Sequence, residues 1–157
     1  MINSFLKGKI SQNFPHDPTP DQRFALESIA DFLLATTPDS LLLLKGYAGT
    51  GKTSLIGALV KTLHELGQKT MLLAPTGRAA KVFSNYAGQK AYTIHKRIYR
   101  QKAFSNEPVG FLPAPNFYKD TIFIVDEASM ITNDGVDSYI FGSGRLLDDL
   151  IHFVYSG

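Results

Sequence analysis

The chain has 157 residues, of which 44% are hydrophobic, and this is enough to bury the core of one domain. It has no cysteine, which excludes a disulfide framework and a thiolate metal site. The net charge is +2, no apolar run approaches the length of a membrane span, and the first residues do not resemble a signal peptide. These features predict a cytoplasmic protein that does not cross a membrane.

The stretch between Glu65 and Glu107 contains no acidic residue but carries eight basic and five aromatic side chains. Basic residues interleaved with aromatic ones suit a polyanion with stackable bases, such as single-stranded nucleic acid. The charge pattern alone favours the simpler alternative, a solvated basic surface with its aromatic residues in the core.

The first elements in chain order are a leader, a helix and a strand. Residues 1–18 show no clear period, which predicts a leader that packs irregularly in front of a domain formed by residues 19–157. Thr19 and Pro20 suit the start of a helix, and Gln22 can close a capping box with Thr19. Residues 41–45 form a short apolar run between turn signals, which is typical of a buried strand.

The rest of the chain alternates between helical and strand patterns. After residues 46–53 comes a helix that Gly67 can terminate. Further elements are strands at 70–74 and 121–125 (the latter predicted to be buried on both sides), helices at 77–85, after Thr93 and around 147–154, and an irregular insertion at 101–119. Alternation of this kind predicts an α/β fold with a parallel sheet flanked by helices, although three strands are few for a complete domain.

A phosphate-binding loop is the strongest motif. The pattern G-x-x-x-x-G-K-[ST] is matched in full by Gly46, Tyr47, Ala48, Gly49, Thr50, Gly51, Lys52 and Thr53. Its glycines let backbone N–H groups approach phosphate, Lys52 suits the β- and γ-phosphates, and the Thr53 hydroxyl suits Mg²⁺. The alternative is a glycine-rich turn with a chance Lys-Thr pair, which the flanking strand and helix disfavour. Tyr47 either packs beside the loop or contacts the nucleotide.

Two acidic residues follow the apolar run at 121–125 directly. Asp126 and Glu127 would leave the carboxyl end of a parallel strand, where such sheets bind ligands. Asp126 then suits the coordination shell of Mg²⁺, and Glu127 suits the orientation or deprotonation of an attacking water. The alternative is a solvated loop that begins after the strand.

The segments around these motifs resemble a known family. LAPTGRAAK at 73–81, TIH at 93–95 and VDEASM at 125–130 are similar to the RecD-like and Dda-like branch of superfamily 1 DNA helicases. The resemblance extends from about residue 19 to residue 131. It implies the P-loop NTPase fold of the RecA-like type and, within it, the N-terminal part of the first motor domain.

The resemblance also implies roles for individual residues. ATP with Mg²⁺ would bind residues 46–53, and Gln22 would bond the adenine edge, although its capping role is an open alternative. The segment that would grip single-stranded DNA comprises Pro75, Thr76, Gly77 and Arg78, with His95 on the same surface. Arg78 could instead be a solvated helix residue and His95 a partly buried histidine. Residues 101–119 occupy the place of a pin-bearing subdomain, and their shortness puts a working pin in question.

The resemblance predicts an ATP-dependent DNA helicase that couples hydrolysis to translocation on single-stranded DNA, with repair or recombination proteins as partners. The second motor domain and the motif that senses the γ-phosphate are not among these 157 residues, so we expect no unwinding by this chain alone and an incomplete sheet. Two alternatives stay open: a P-loop NTPase of a kinase-like or clamp-loader-like class, and a non-catalytic module that binds nucleotide or single-stranded DNA.

Overall fold

The computed structural model describes residues 2–35, 37–101, 110–133 and 140–157. The helices are α1 Ile2–Asn13, α2 Pro20–Leu34, α3 Lys52–Glu65, α4 Gly77–Ala87, α5 Ile94–Ile98 and α6 Leu146–Tyr155. The strands are β1 Lys69–Ala74, β2 Ala91–Thr93, β3 Tyr99–Gln101, β4 Phe111–Pro113 and β5 Thr121–Val125. Two compact units result: Met1–Gln68 with Tyr86–Gly88, and Lys69–Asn85 with Gln89–Gly157.

Helix α1 corrects the prediction of an irregular leader. Leu6, Ile10 and Phe14 are spaced four residues apart and are all buried. Three apolar residues make too short a stripe to show as a period in the sequence. The helix is stabilised by packing against α2 and α3, because tertiary contacts supply most of the stability of short helices.

Polar contacts bind the end of α1 to α3. The Asn13 amide donates to the Thr62 hydroxyl at 3.0 Å and to the Glu65 carboxylate at 3.2 Å. Thr62 is fully buried and donates in turn to the Ala58 carbonyl at 2.8 Å. The helix that follows the phosphate loop is therefore supported along one side by the first helix of the chain.

The predicted start of α2 and the predicted end of α3 are confirmed. Thr19 and Gln22 form both hydrogen bonds of the capping box, and Pro20 occupies the first turn of α2. Gly67 terminates α3 with a φ of +72°, and the N–H of Gln68 reaches back to the Leu63 carbonyl at 2.9 Å.

Residues 41–45 differ from the prediction of a buried strand. They form no strand in the described structure, and Leu41 and Leu43 are 66% and 59% exposed. A strand is stable only where a neighbouring strand satisfies its backbone N–H and C=O groups. The described residues of the first unit contain no strand that could do this.

The second unit contains a parallel sheet with the strand order β2-β1-β5. Helices flank this sheet, which confirms the predicted α/β class. Strand β2 is absent from the prediction because three residues are too few to show a pattern. The predicted burial of β5 on both sides is wrong: Ile124 is its only buried residue, since β5 lies at an edge of the described sheet.

The region predicted as an irregular insertion includes a second, antiparallel sheet. Strands β3 and β4 pair from Tyr99 with Pro113 to Gln101 with Phe111, whereas residues 102–109 lie outside the described residues. Phe111 also pairs with residues 140–142, since its N–H donates to the Ile140 carbonyl at 2.7 Å and its carbonyl accepts from the Gly142 N–H at 3.0 Å. Long-range pairing of this kind cannot be seen in the local sequence.

The core of the second unit lies between the parallel sheet, α5 and α6. Its buried residues are Met71, Leu73, Ile94, Ile98, Tyr99, Leu150 and Phe153. The prediction that Ile94 and Ile98 point inward from a helix capped by Thr93 is confirmed. Within the described ranges, no helix has both the length and the apolar character that crossing a membrane requires.

Candidate nucleotide-binding site

The phosphate loop adopts the backbone that its glycines permit. Gly49 and Gly51 have φ angles of +80° and +86°, a region that residues with a Cβ rarely enter. Between them, the Thr50 hydroxyl donates to the Tyr47 carbonyl at 2.8 Å and closes the turn. A Cβ placed on Gly49 would meet no atom within 4 Å, so this part of the loop faces open space.

Lys52 lies over the loop from which it emerges. Its ammonium donates to the carbonyls of Gly46 at 2.6 Å and Tyr47 at 2.8 Å. Helix α3 begins at this lysine with Gly51 as N-cap, no side-chain cap and no acidic residue in its first turn. The open N–H groups, the helix dipole and the ammonium together favour an anion at this place.

Gln22 contacts this loop, and Tyr47 is one of its residues. The Gln22 side chain accepts from the Thr19 N–H at 2.9 Å, as the capping box predicts, and also donates to the Thr50 carbonyl at 3.0 Å. Tyr47 is 90% exposed, so the alternative in which it packs beside the loop is wrong. The contact of Tyr47 with nucleotide stays a prediction.

In the second unit, three parallel strands end at one edge of the sheet. Leu73 is in register with Val125 and Ala74 with Thr93, so the segments after β1, β2 and β5 leave the sheet side by side. These are the segments predicted to bear the DNA-contact residues and the acidic pair. The fold therefore brings Pro75, His95 and Asp126 to one sheet edge, where open α/β sheets bind their ligands.

Asp126 continues the strand pairing, whereas Glu127 has an unusual backbone. The Asp126 N–H donates to the Leu73 carbonyl at 3.0 Å, which extends the pairing of β5 with β1. Glu127 has a φ of +53°, although it is not glycine, and its side chain is exposed. Left-handed backbone at a residue with a large side chain is uncommon and concentrates at functional sites.

The predicted DNA-contact residues have two kinds of surroundings. The Thr76 hydroxyl accepts from the Ala79 N–H at 3.2 Å and so caps α4, while Arg78 is exposed in its first turn. His95 is half-buried, and its ring lies 4.9 Å from that of Phe141 and 5.7 Å from that of Tyr99. The geometry at His95 supports the alternative of a partly buried, packed histidine.

Most of the described basic side chains between Glu65 and Glu107 are exposed, as expected for a solvated basic surface with aromatic residues in the core. Phe83 and Tyr99 are buried, whereas the exposed basic residues include Lys81, Lys96 and Arg100. Arg97 is different, since its guanidinium carbon lies 3.8 Å from the Tyr92 ring centre and it donates to the Tyr118 hydroxyl at 2.7 Å. This cation–π contact adds stability in the second unit but has no signature in the sequence.

One cluster of polar side chains could not be predicted from the sequence. Asp149 accepts hydrogen bonds from the Tyr99 hydroxyl at 2.6 Å and from the Ser143 hydroxyl at 2.7 Å. The three residues are separated by up to 50 positions, and none belongs to a recognisable motif. Their spacing is set by the fold, so no signal in the sequence could have predicted the cluster.

The chain is similar in sequence to known proteins. The AAA domain family matches residues 19–140, which is more than half of the chain. The chain is 35% identical over 92 residues to the ATP-dependent RecD2 DNA helicase of Deinococcus radiodurans, covering 58% of this chain and 12% of that protein. It is 36% identical over 90 residues to the ATP-dependent DNA helicase dda of Enterobacteria phage T4, covering 55% of this chain and 20% of that protein.

No solved structure gives a significant match to the chain. The chain spans between 12% and 20% of the length of these two relatives. The residues that the family matches include the motifs at 46–53, 73–81 and 125–130. The chain therefore belongs to the AAA domain family and, within it, to the RecD-like and Dda-like branch of superfamily 1 helicases, as an N-terminal part of the first motor domain.

Proposed function

We propose that the chain is the ATP-binding part of an ATP-dependent DNA helicase that translocates on single-stranded DNA. One observation carries the nucleotide site: Lys52 lies over a glycine-rich loop, at the uncapped N-terminus of α3. A polyphosphate there would accept hydrogen bonds from the loop N–H groups. Its oxygens would replace the loop carbonyls as acceptors for the Lys52 ammonium. Open space around Gly49 leaves room for this ligand.

Two residues have the chemistry to assist a magnesium ion. Thr53 offers an exposed hydroxyl in the first turn of α3, and Asp126 offers a carboxylate directly after β5. Mg²⁺ prefers oxygen ligands and keeps several of its waters, so few protein ligands are needed. When bound with ATP, the ion would neutralise charge that develops on the phosphates during hydrolysis.

Glu127 is our candidate for the residue that orients the attacking water. Its carboxylate is exposed and follows the strand end at which Asp126 also lies. The left-handed backbone at Glu127 directs the chain into the turn Ala128–Met130, and the Met130 N–H donates to the Glu127 carbonyl at 3.0 Å. A fixed backbone would restrict the positions open to the carboxylate, as general-base catalysis requires.

DNA is the proposed partner of the segment that follows β1, the strand next to β5. The Thr76 hydroxyl keeps its proton available for a phosphate oxygen because it acts as acceptor toward the Ala79 N–H. The exposed guanidinium of Arg78 adds a positive charge in the same turn. Roles in DNA repair or recombination, and the cytoplasmic location, stay predictions.

The test compares ATP hydrolysis with and without single-stranded DNA, in a longer protein that contains this chain and a second motor domain. Stimulation of hydrolysis by DNA is the result that we expect. Hydrolysis that DNA does not change would favour a P-loop NTPase of another class, and binding without hydrolysis would favour a non-catalytic module. The 157-residue chain alone should bind Mg²⁺-ATP but should not separate DNA strands, because unwinding needs two domains that open and close on ATP.

A further inference from the structure

The Gln22 side chain uses both ends of its amide in the first unit. The amide oxygen accepts from the Thr19 N–H at 2.9 Å, while the amide nitrogen donates to the Thr50 carbonyl at 3.0 Å. The first bond belongs to the capping box of α2 and is local. The second bond spans 28 positions in the sequence and reaches the phosphate loop itself.

The contact continues at the next residue of the loop. A Cβ on Gly51 would clash with the Gln22 amide nitrogen, so the two residues can approach this closely only because position 51 is glycine. Gly51 is also the N-cap of α3 and immediately precedes Lys52. Gln22 therefore lies against the peptide that joins the loop to the helix.

This contact has a consequence for the direction of one N–H group. In a planar trans peptide, the carbonyl of one residue and the N–H of the next point in opposite directions. Because the Thr50 carbonyl points toward Gln22, the Gly51 N–H points away from it. A hydrogen bond to the carbonyl thus fixes the orientation of the donor on the other side of the peptide.

We propose that Gln22 is a positioning residue that holds the Thr50–Gly51 peptide so that the Gly51 N–H faces the phosphates. The inference rests on the proposed nucleotide site and adds a role that does not depend on the base. It differs from adenine recognition, in which the amide would bond the edge of one base. Loss of the Gln22 amide should consequently weaken every triphosphate ligand, with or without a base.

The experiment measures the dissociation constants of Mg²⁺-ATP, Mg²⁺-GTP and inorganic tripolyphosphate for the complete 157-residue chain. Gln22→Met keeps a side chain of similar length but removes the amide. We expect all three constants to rise by a similar factor of about three to ten, which corresponds to one net hydrogen bond. A rise for ATP alone, or no rise for any ligand, would overturn the inference.

Thr19→Ala is the matched control because it removes the capping hydroxyl and leaves the contact between Gln22 and Thr50 in place. Its affinities for the three ligands should stay within about twofold of the wild type; an effect as large as that of Gln22→Met would assign the loss to α2 instead. In the nucleotide-free state, the amide resonance of Gly51 should shift in Gln22→Met and not in Thr19→Ala. Failure of the wild-type chain to bind any of the three ligands would refute the proposed nucleotide site, a result distinct from failure of this inference.

Discussion

The hydroxyl of Tyr99 donates a 2.6 Å hydrogen bond to the carboxylate of Asp149, and this bond joins strand β3 to helix α6. Tyr99 is buried, and Asp149 also accepts from the hydroxyl and the N–H of Ser143. The bond therefore holds the base of the β3–β4 sheet against the last helix.

We expect Tyr99→Phe to lower the free energy of unfolding by about 1–2 kcal/mol. The change removes one hydrogen bond to a charged group and leaves the ring packing intact. Urea denaturation at neutral pH measures it. Tyr47→Phe is the matched control, since the Tyr47 ring is 90% exposed, and its effect should be close to zero. Equal effects of the two changes would show that the bond to Asp149 contributes nothing.

Asp149 should also make the stability of the chain depend on pH. Burial would raise the pKa of Asp149, but the hydrogen bonds from Tyr99 and Ser143 outweigh it and hold the pKa below its ordinary value. A folded-state pKa below that of the unfolded chain gives a contribution that is complete above about pH 4. The contribution is lost as the pH falls from there through the lower folded-state pKa.

The pH dependence can be checked by urea denaturation of the wild type and Asp149→Asn between about pH 2 and pH 7. The wild type should be the more stable protein at neutral pH, and its advantage should shrink in the acid range. A difference that stays constant across this range would contradict the assignment.

Gly142 lies so close to Tyr99 and Asp149 that a larger residue would not fit at this position. It has a φ of +48°, and a Cβ there would clash with the Asp149 carboxylate and the Tyr99 ring. Gly142→Ala should therefore lower the free energy of unfolding by about 2–4 kcal/mol, from backbone strain and crowding together. Gly88→Ala provides the control: its φ is +64° but no atom lies within 4 Å of the added Cβ, so only the strain remains. Similar losses for both variants would rule out the crowding.

Local features of the fold could be predicted from the sequence, whereas features that depend on distant partners could not. The capping box of α2 and the turn at Gly67 were predicted because their hydrogen bonds lie within a few residues. The strand predicted at residues 41–45 was wrong because its stability requires a neighbour. The start of α6 illustrates the same limit, since the Leu147 N–H donates to Asn133, fourteen residues earlier in the chain.

The candidate site shows a similar division. The positive φ angles at Gly49 and Gly51 agree with the predicted loop because glycine itself permits this backbone, whereas phosphate binding by residues 46–53 stays a prediction. The sequence predicted only that Asp126 and Glu127 follow the end of a parallel strand, whereas the register of β1 with β2 and β5 brings the segments after all three strands to one end of the sheet. The contact of Gln22 with Thr50 could not be foreseen, because it depends on how the helix α2 lies against the loop.

Helix α1 should contribute to the stability of the unit that carries the phosphate loop. Ile10 is fully buried, and Ile10→Ala should lower the free energy of unfolding by about 2–4 kcal/mol through lost burial and a residual cavity. Phe5 lies on the same helix but is 56% exposed, so Phe5→Ala should cost less than about 1 kcal/mol. Thermal or urea unfolding measures both variants. An Ile10→Ala variant as stable as the wild type would show that α1 does not support α3.

Substitution of two lysines on helix α3 can distinguish a direct contact with the nucleotide from a general effect of positive charge. The Lys52 ammonium lies over the loop carbonyls of Gly46 and Tyr47, whereas Lys61 is exposed nine residues later in the same helix. Lys52→Ala should weaken Mg²⁺-ATP binding at least about tenfold, since it removes a charge-assisted contact with the phosphates. Lys61→Ala removes the same charge but should leave the dissociation constant within about twofold, because exposed charges are screened by salt. Titration of both variants with Mg²⁺-ATP decides the matter, and equal losses would mean that overall charge, and not the loop, attracts the nucleotide.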